Sequence, residues 1–406
     1  MFKKLFFVAI FMLMSLATVS AQKKEIAQAK SNIKAGKSLA EAEASMRKLL
    51  ADSSNRQNDK IWLVLFDAVK KQYENVNEQM YLKQSTDTSQ LFDAASRMFG
   101  VLEGLDSVDA AQAKEGKNKL KYRRKHSEYL NAYRKNLFNG GVFFMGKQDY
   151  RRSFSFFDAY IDCARQPLFS AYDYAANDRL LPKAAFYSVY TGYMAKDYQA
   201  TLRHEQLARK DSAHILLTLQ YVADTPLALA DTASYVSTLK NGFELSPSSK
   251  YFFPHLFDYF FRNGDMKGSM DLVDVSLHAD STDAVALLAK STVLLSLERY
   301  DECIAICNRL IAADDKIADA YLNAGLAYFN QAVKLDKKTK HSREERATMK
   351  KLYTESMPYM QRYRQLEPKR NDLWAMPLYT IYLNLNMGKE FGEMDSIVKS
   401  MANTKK

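Results

Sequence analysis

The sequence predicts an all-α fold, an α-solenoid of stacked antiparallel helix pairs, on three observations. Only 14 Gly and 8 Pro occur in 406 residues and the first proline is Pro167, so the tight turns of an all-β chain would lack the residues that make them. With 47% hydrophobic and 26% charged residues, the chain has ample material for a core and is far from the composition of a disordered segment. A dipeptide then returns at constant spacing, as Asp197-Tyr198, Asp231-Thr232, Asp265-Met266 and Arg299-Tyr300, each 34 residues after the last. A period of that size marks one array of helical hairpins rather than two or three separate domains.

The first element, residues 1–21, reads as a signal peptide. Lys3 and Lys4 give a positive start, Leu5 to Met14 is an unbroken apolar run, and Val19-Ser20-Ala21 places small residues before a cleavage point at Gln22. The run is short for a membrane span, and no later stretch approaches the roughly 20 apolar residues a spanning helix needs. No cysteine follows the cleavage point to carry a lipid, so a periplasmic or exported, soluble protein is expected. Removing residues 1–21 takes away two lysines and no acid, which leaves 56 basic against 47 acidic residues, a formal charge of +9. A basic balance prompts a nucleic-acid reading. Export counts against nucleic acid and favours acidic proteins, anionic polymers or lipid phosphates as counterions.

Residues 22–130 keep helical periodicity without the repeat. Glu25 to Leu50, Lys60 to Leu82 and Ser89 to Leu105 are the periodic segments, with Trp62, Leu63, Leu65, Phe66 and Val69 marking one buried face and a longer connection near Gln84 to Thr88. Degenerate hairpins that cap the array are expected here, because a terminal unit has a neighbour on one side only.

From 131 to 406 the slots recur. Phe253, Leu287 and Tyr321 share one slot, Phe260, Leu294 and Tyr328 another, and Pro247, Ser281 and Asp315 a third. Tyr321, Ala324, Gly325 and Tyr328 give a first helix its alternation of large and small residues, and Leu137, Gly141, Phe144, Asp149-Tyr150, Ser153, Phe157 and Tyr160 repeat it. Trp374 opens the last unit, six residues after Pro368, as Phe253 lies six after Pro247. In these residues the chain resembles the tetratricopeptide repeat (TPR) family, whose helix-turn-helix units stack into a superhelix. With its leader and its charged insert before Met357-Pro358-Tyr359, it looks like the periplasmic TPR proteins of Bacteroidota. That resemblance implies a fold and a location, and no activity.

Two steps exceed the period. Tyr150 to Tyr198 spans 48 residues, an excess of 14 filled by Leu168 to Pro182, and Tyr321 to Trp374 spans 53, an excess of 19. The second surplus, near 334–351, is rich in Lys, Arg and Glu without a breaker, and is expected to lengthen both helices of its unit. A kink or a helix start is expected near Pro358.

No chemistry-bearing constellation accompanies this frame. His126, His204, His214, His255, His278 and His341 show no metal-ligand spacing, and no dinucleotide fingerprint, phosphate loop or nucleophile elbow occurs. Cys163, Cys303 and Cys307 read as small buried apolar residues, since a pair four apart on one helix is poorly placed for a disulfide. The expectation is therefore a chain that is not an enzyme and takes no cofactor. First helices of such an array line a concave groove, and the residues beside its packing slots are Tyr251, Asp258, Phe261, Arg262, Thr292, Asp319, Asn330, Tyr379 and Tyr382. They are either groove contacts for a protein or peptide, or packing residues displaced by one in register. The family's carboxylate clamp is not expected, because Leu288, Leu322 and Leu326 occupy that surface.

Two basic stretches stand apart: Lys114, Lys117, Lys119, Lys121, Arg123, Arg124 and Lys125, and then Lys334, Lys337, Lys338, Lys340, Arg343 and Arg346. Each is either a solvated helix face or a peripheral contact with an anionic envelope surface. The resemblance to envelope proteins of Bacteroidota also implies O-glycosylation at Asp-Ser/Thr tripeptides, with Ser107, Ser212, Thr232, Ser281 and Ser396 as acceptors, mostly at inter-helix junctions. Helix capping explains the same residues equally well. The function expected is a non-catalytic interaction scaffold or adaptor of the cell envelope, the alternative a glycan- or nutrient-binding envelope protein.

Overall fold

The computed structural model describes residues 22–114, 120–225, 230–337 and 340–404; the leader and Lys117, Lys119 and Lys338 lie outside them. All regular structure among the described residues is helical, and no described helix is long and apolar enough to cross a membrane. The chain folds as two compact units, one ending at Asp231 and one beginning at Thr232. The boundary expected at 130/131 instead falls inside a helix, Arg123–Gly146, because that helix is the first member of a complete hairpin.

The first unit opens with α1 (22–35), α2 (Leu39–Ala51), α3 (Asp59–Tyr81) and α4 (Thr88–Lys114). The stretch read as one periodic segment, Glu25 to Leu50, is thus two helices turned at Gly36. There follow α5 (Arg123–Gly146), α6 (Tyr150–Asp162), a short α7 (Tyr174–Asn177), α8 (Leu181–Met194), α9 (Tyr198–Arg203), α10 (Glu205–Ala208) and α11 (Ile215–Ala223). Successive long helices pack against one another from α2 to α6, and α6 packs on α8. One apolar core runs from Ala29 to Val222, with Met46, Ile61, Leu65, Met98, Leu102, Phe144 and Phe157 fully enclosed.

The second unit holds α12 (Thr232–Leu245), α13 (Phe252–Arg262), α14 (Met266–Ala279), α15 (Ala284–Ser296), α16 (Tyr300–Ala313), α17 (Ala318–Asp336), α18 (Arg343–Leu366), α19 (Asn371–Asn384) and α20 (Gly388–Thr404). Each packs on the next, giving an α-solenoid of antiparallel pairs. The charged insert does lengthen its hairpin: α17 and α18 have 19 and 24 residues against 11 to 14 in α13 to α16. The start of α18 is fixed by a capping box, Ser342 accepting from the Glu345 amide while the Glu345 carboxylate accepts from the Ser342 amide. Pro358 lies inside α18 rather than at its start, where the Tyr353, Met360 and Tyr363 side chains carry the helix through by burial.

Charged groups also shape the first unit from within. Asp109 of α4, nearly fully buried, accepts from the amides of Lys121 (2.7 Å) and Tyr122 (3.2 Å) at the start of α5. Arg123 forms a paired contact with buried Asp106 at 2.8 Å on each branch. Arg123 is therefore internal framework rather than free surface charge, whereas Arg124 pairs with Glu128 at the surface.

Candidate functional site

In the second unit, first helices touch first helices: α13 contacts α15, α15 contacts α17, and α17 contacts α19. A polar bolt fastens two of them, the Asn323 amide of α17 donating to Ser291 Oγ (2.9 Å) and Thr292 Oγ1 (3.1 Å) of α15. Thr292 is thus partly spent on helix packing. Asp258 and Arg262 are exposed and pair with each other at 2.7 Å, Asp319 is exposed, and Asn330 is half-buried. The Tyr251 ring lies tilted against His255, with centroids 4.5 Å apart, and Phe261 stacks on Phe257 at 5.6 Å. Tyr379 is half-exposed with its ring 4.8 Å from Phe391.

Tyr382 does not belong to this face. Its ring is 3% exposed among Trp374, Leu378 and Met394, and its hydroxyl accepts from Gln361 at 3.0 Å. The packing of α18 and α20 on α19 claims that side of the helix. Exposed Val285 and Leu383 are additional apolar contributors on α15 and α19. An open depression of about 460 Å³ on α13 takes Asp258 and Arg262 together with Tyr235, Pro254, His255, Tyr259 and Asn263. The last five escaped the sequence reading, although Tyr251, His255, Tyr259 and Asn263 fall at steps of four, one stripe of a helix.

The turn between paired helices takes one form in five hairpins. Gln148, Lys196, Gly264, Glu298 and Asn386 all have φ between 56° and 75°. The amide after each donates to the carbonyl five residues back: Asp149 to Phe144, Asp197 to Gly192, Asp265 to Phe260, Arg299 to Leu294, and Met387 to Tyr382, at 2.9–3.0 Å. The aspartate that follows then caps the second helix, Asp149, Asp197 and Asp265 accepting from amides three residues on. Gly141 and Gly325 occupy one slot of the first helix, and each carbonyl accepts from a buried serine of the second helix, Ser153 and Ser356, at 2.7 Å. A side chain at either would collide, with the Phe157 ring at 2.7 Å or with Met360 Sδ at 2.6 Å. These helix pairs are built like tetratricopeptide repeats and stack as an α-solenoid.

No family profile and no curated protein matches the chain. Among solved structures, a TPR protein from Cytophaga hutchinsonii aligns at 11% identity over 63% of this chain and 92% of its own, with a TM-score of 0.42. A tetratricopeptide repeat protein from Parabacteroides merdae aligns at 13% identity over 62% of this chain and 97% of its own (TM-score 0.35), and MamA at 17% over 47% and 94% (TM-score 0.34).

The remaining candidates separate on inspection. Ser212, Thr232 and Ser281 are exposed at junctions, whereas Ser107 and Ser396 lie within α4 and α20 with hydroxyls donating to the carbonyls four residues back. The expectation that the acceptors sit mostly at junctions thus holds for three of them. Lys334 pairs with Glu298, and Lys337, Lys340, Arg343 and Arg346 are exposed around the long hairpin's tip. All three cysteines are buried free thiols.

Asp158, Asp162 and His204 bring ligand-type atoms within 4.8 Å of one another in the first unit. Arg203 lies 3.0 Å from each carboxylate, and His204 Nε2 is 2.6 Å from Asp158. The guanidinium already supplies the positive charge that a cation would bring.

Proposed function

We propose that the protein is a non-catalytic scaffold or adaptor of the cell envelope, holding an extended segment of a partner protein along the face of α13, α15, α17 and α19. One observation carries this reading: the contacts between successive first helices make that face continuous, and it presents half-exposed Tyr251, Phe261 and Tyr379 among polar Asp258, Arg262, Asp319 and Asn330. Aromatic side chains supply contact area at low entropic cost, and polar groups between them fix register. A photo-crosslinking residue at Phe261, Asp319 or Tyr379 should capture the same protein from envelope extracts. The same residue at Asp271 or Ala305, exposed on the second helices α14 and α16, should not. Equal yields from both sets would remove the face from consideration.

The envelope placement is supported by the leader pattern and is tested separately. Intact-mass analysis of protein from a native-like host should find a chain beginning at Gln22; a mature species retaining residues 1–21 would contradict export.

A further inference from the structure

The 14-residue excess between α6 and α8 does more than lengthen a connection. It is tied down through Arg134 of α5, which is 6% exposed. The guanidinium lies between the Tyr160 and Tyr174 rings, 3.8 Å from each centroid, and donates to Asp178 Oδ2 (2.6 Å) and to the Tyr160 carbonyl (3.0 Å). The Tyr160 hydroxyl donates to the same carboxylate oxygen at 2.7 Å, and Asp178 Oδ1 accepts from the Leu180 amide at 2.9 Å. Burial pushes the Asp178 carboxyl up, but the hydrogen bonds from Tyr160, Arg134 and Leu180 outweigh it and hold it below the usual carboxylate range. Charge and hydrogen bonds therefore hold the inserted segment in one arrangement.

That arrangement leaves an open pocket of about 390 Å³ against α5, a volume typical of small-ligand sites. Five of its nine lining residues, Tyr172, Tyr174, Asn177, Asp178 and Leu180, come from the inserted segment, so an uninterrupted repeat would lack it. Tyr172 is half-exposed and lies parallel to Tyr174, with centroids 5.4 Å apart and planes within 8°; it offers a flat, backed aromatic surface. Two side-chain amides flank it with opposite polarity. Asn131 Oδ1 accepts from the Tyr174 hydroxyl at 2.6 Å, which leaves its NH2 to donate, and Asn177 Nδ2 donates to the Tyr172 carbonyl at 3.2 Å, which leaves its oxygen to accept. With Asp178 matched by Arg134, the lining charge without an ion pair among the described residues is Lys135, exposed on α5.

We infer that this pocket binds an acidic saccharide, a pyranose ring carrying a carboxylate. Such a ring has an apolar C–H face that stacks on an aromatic plane and a rim of hydroxyls that both donate and accept, which is the complement of Tyr172, Asn131 and Asn177. Lys135 meets the carboxylate. The site is distinct from the face of α13, α15, α17 and α19, so either can fail without the other.

The test is calorimetric titration of the mature chain with methyl glycosides and disaccharides of glucuronic, galacturonic and N-acetylneuraminic acid, each beside its neutral counterpart. At least one acidic sugar should bind saturably and its neutral counterpart at least tenfold more weakly. Tyr172→Ala should weaken binding tenfold or more while Tyr172→Phe retains it, with helical content unchanged in both. Lys135→Met should erase the preference for the acid and leave the neutral sugar's affinity unaltered. No saturable binding by any member to the folded chain, or binding indifferent to Tyr172→Ala, overturns the site. Equal affinity for acidic and neutral sugars overturns the role given to Lys135.

Discussion

The two units solve the same packing problem with different means. The second keeps its 34-residue step through α13 to α17 and closes its hairpins with small residues, capped turns and apolar side chains; its ion pairs, such as Asp258–Arg262 and Arg299–Glu302, lie at the surface. The first breaks step and stitches the irregularities with enclosed charge, Arg134 to Asp178 and Arg123 to Asp106, and with the buried His204 ring against Asp158. Where every repeat finds an equivalent neighbour, apolar complementarity suffices. Where an insertion must lie on a repeat, directional contacts specify its position.

The largest expected effect tests that contrast directly. Arg134→Met removes the guanidinium from between two tyrosines and leaves the Asp178 carboxylate uncompensated, which should cost about 3–5 kcal/mol. Arg262→Met breaks an exposed pair and should stay within about 1 kcal/mol. Chemical denaturation of both variants measures the difference, and similar losses would mean that enclosed charge is not what holds the first unit.

A smaller effect separates two occupants of one slot. Gly141→Ala drives a methyl group toward the enclosed Phe157 ring, whereas Gly325→Ala meets the flexible end of Met360. The first should lose about 1–3 kcal/mol and the second less, while Gly325→Leu, which exceeds what Met360 can yield, should fall by about 1–3 kcal/mol. Thermal melts decide the order. An unshifted Tm for Gly325→Leu would show that the slot is not closely packed.

The smallest effect lies at the turns. Lys196 and Gly264 hold the same left-handed position, two periods apart, with φ of 57° and 75°. Lys196→Gly should stabilise the first unit, and Gly264→Ala destabilise the second, each by roughly 1 kcal/mol. Shifts of the same sign would break the equivalence of the two turns.

The periodic half of this fold was legible because its signals are local. An aspartate that caps a helix and a small residue that admits a neighbour act within one hairpin, so Asp197, Asp265, Gly141 and Gly325 could be read from spacing alone. The contact of Arg134 with Asp178 crosses 44 residues and joins a repeat to an insertion, which no period relates. The candidate face was partly legible for the same reason. Asp258 and Asp319 stand at exposed positions of regular hairpins, whereas Tyr382 was misplaced because the hydrogen bond from Gln361, 21 residues away, and the packing of α20 decide its side. Tyr235, His255 and Tyr259 went unseen because a depression depends on how α12 meets α13.

The cap that Asp109 provides to α5 also bears on the order in which the chain is made. Its recipient amides, Lys121 and Tyr122, lie 12 and 13 residues downstream, so the acceptor has already left the ribosome when the start of α5 emerges. The opposite holds for Arg134, whose carboxylate arrives 44 residues later. The first turn of α5 can therefore be satisfied as soon as it is synthesised, while its middle keeps an unmatched cation until residue 178 appears. For a chain released from its N-terminus at about 5–20 residues per second, that is a wait of a few seconds, during which water rather than Asp178 solvates the guanidinium.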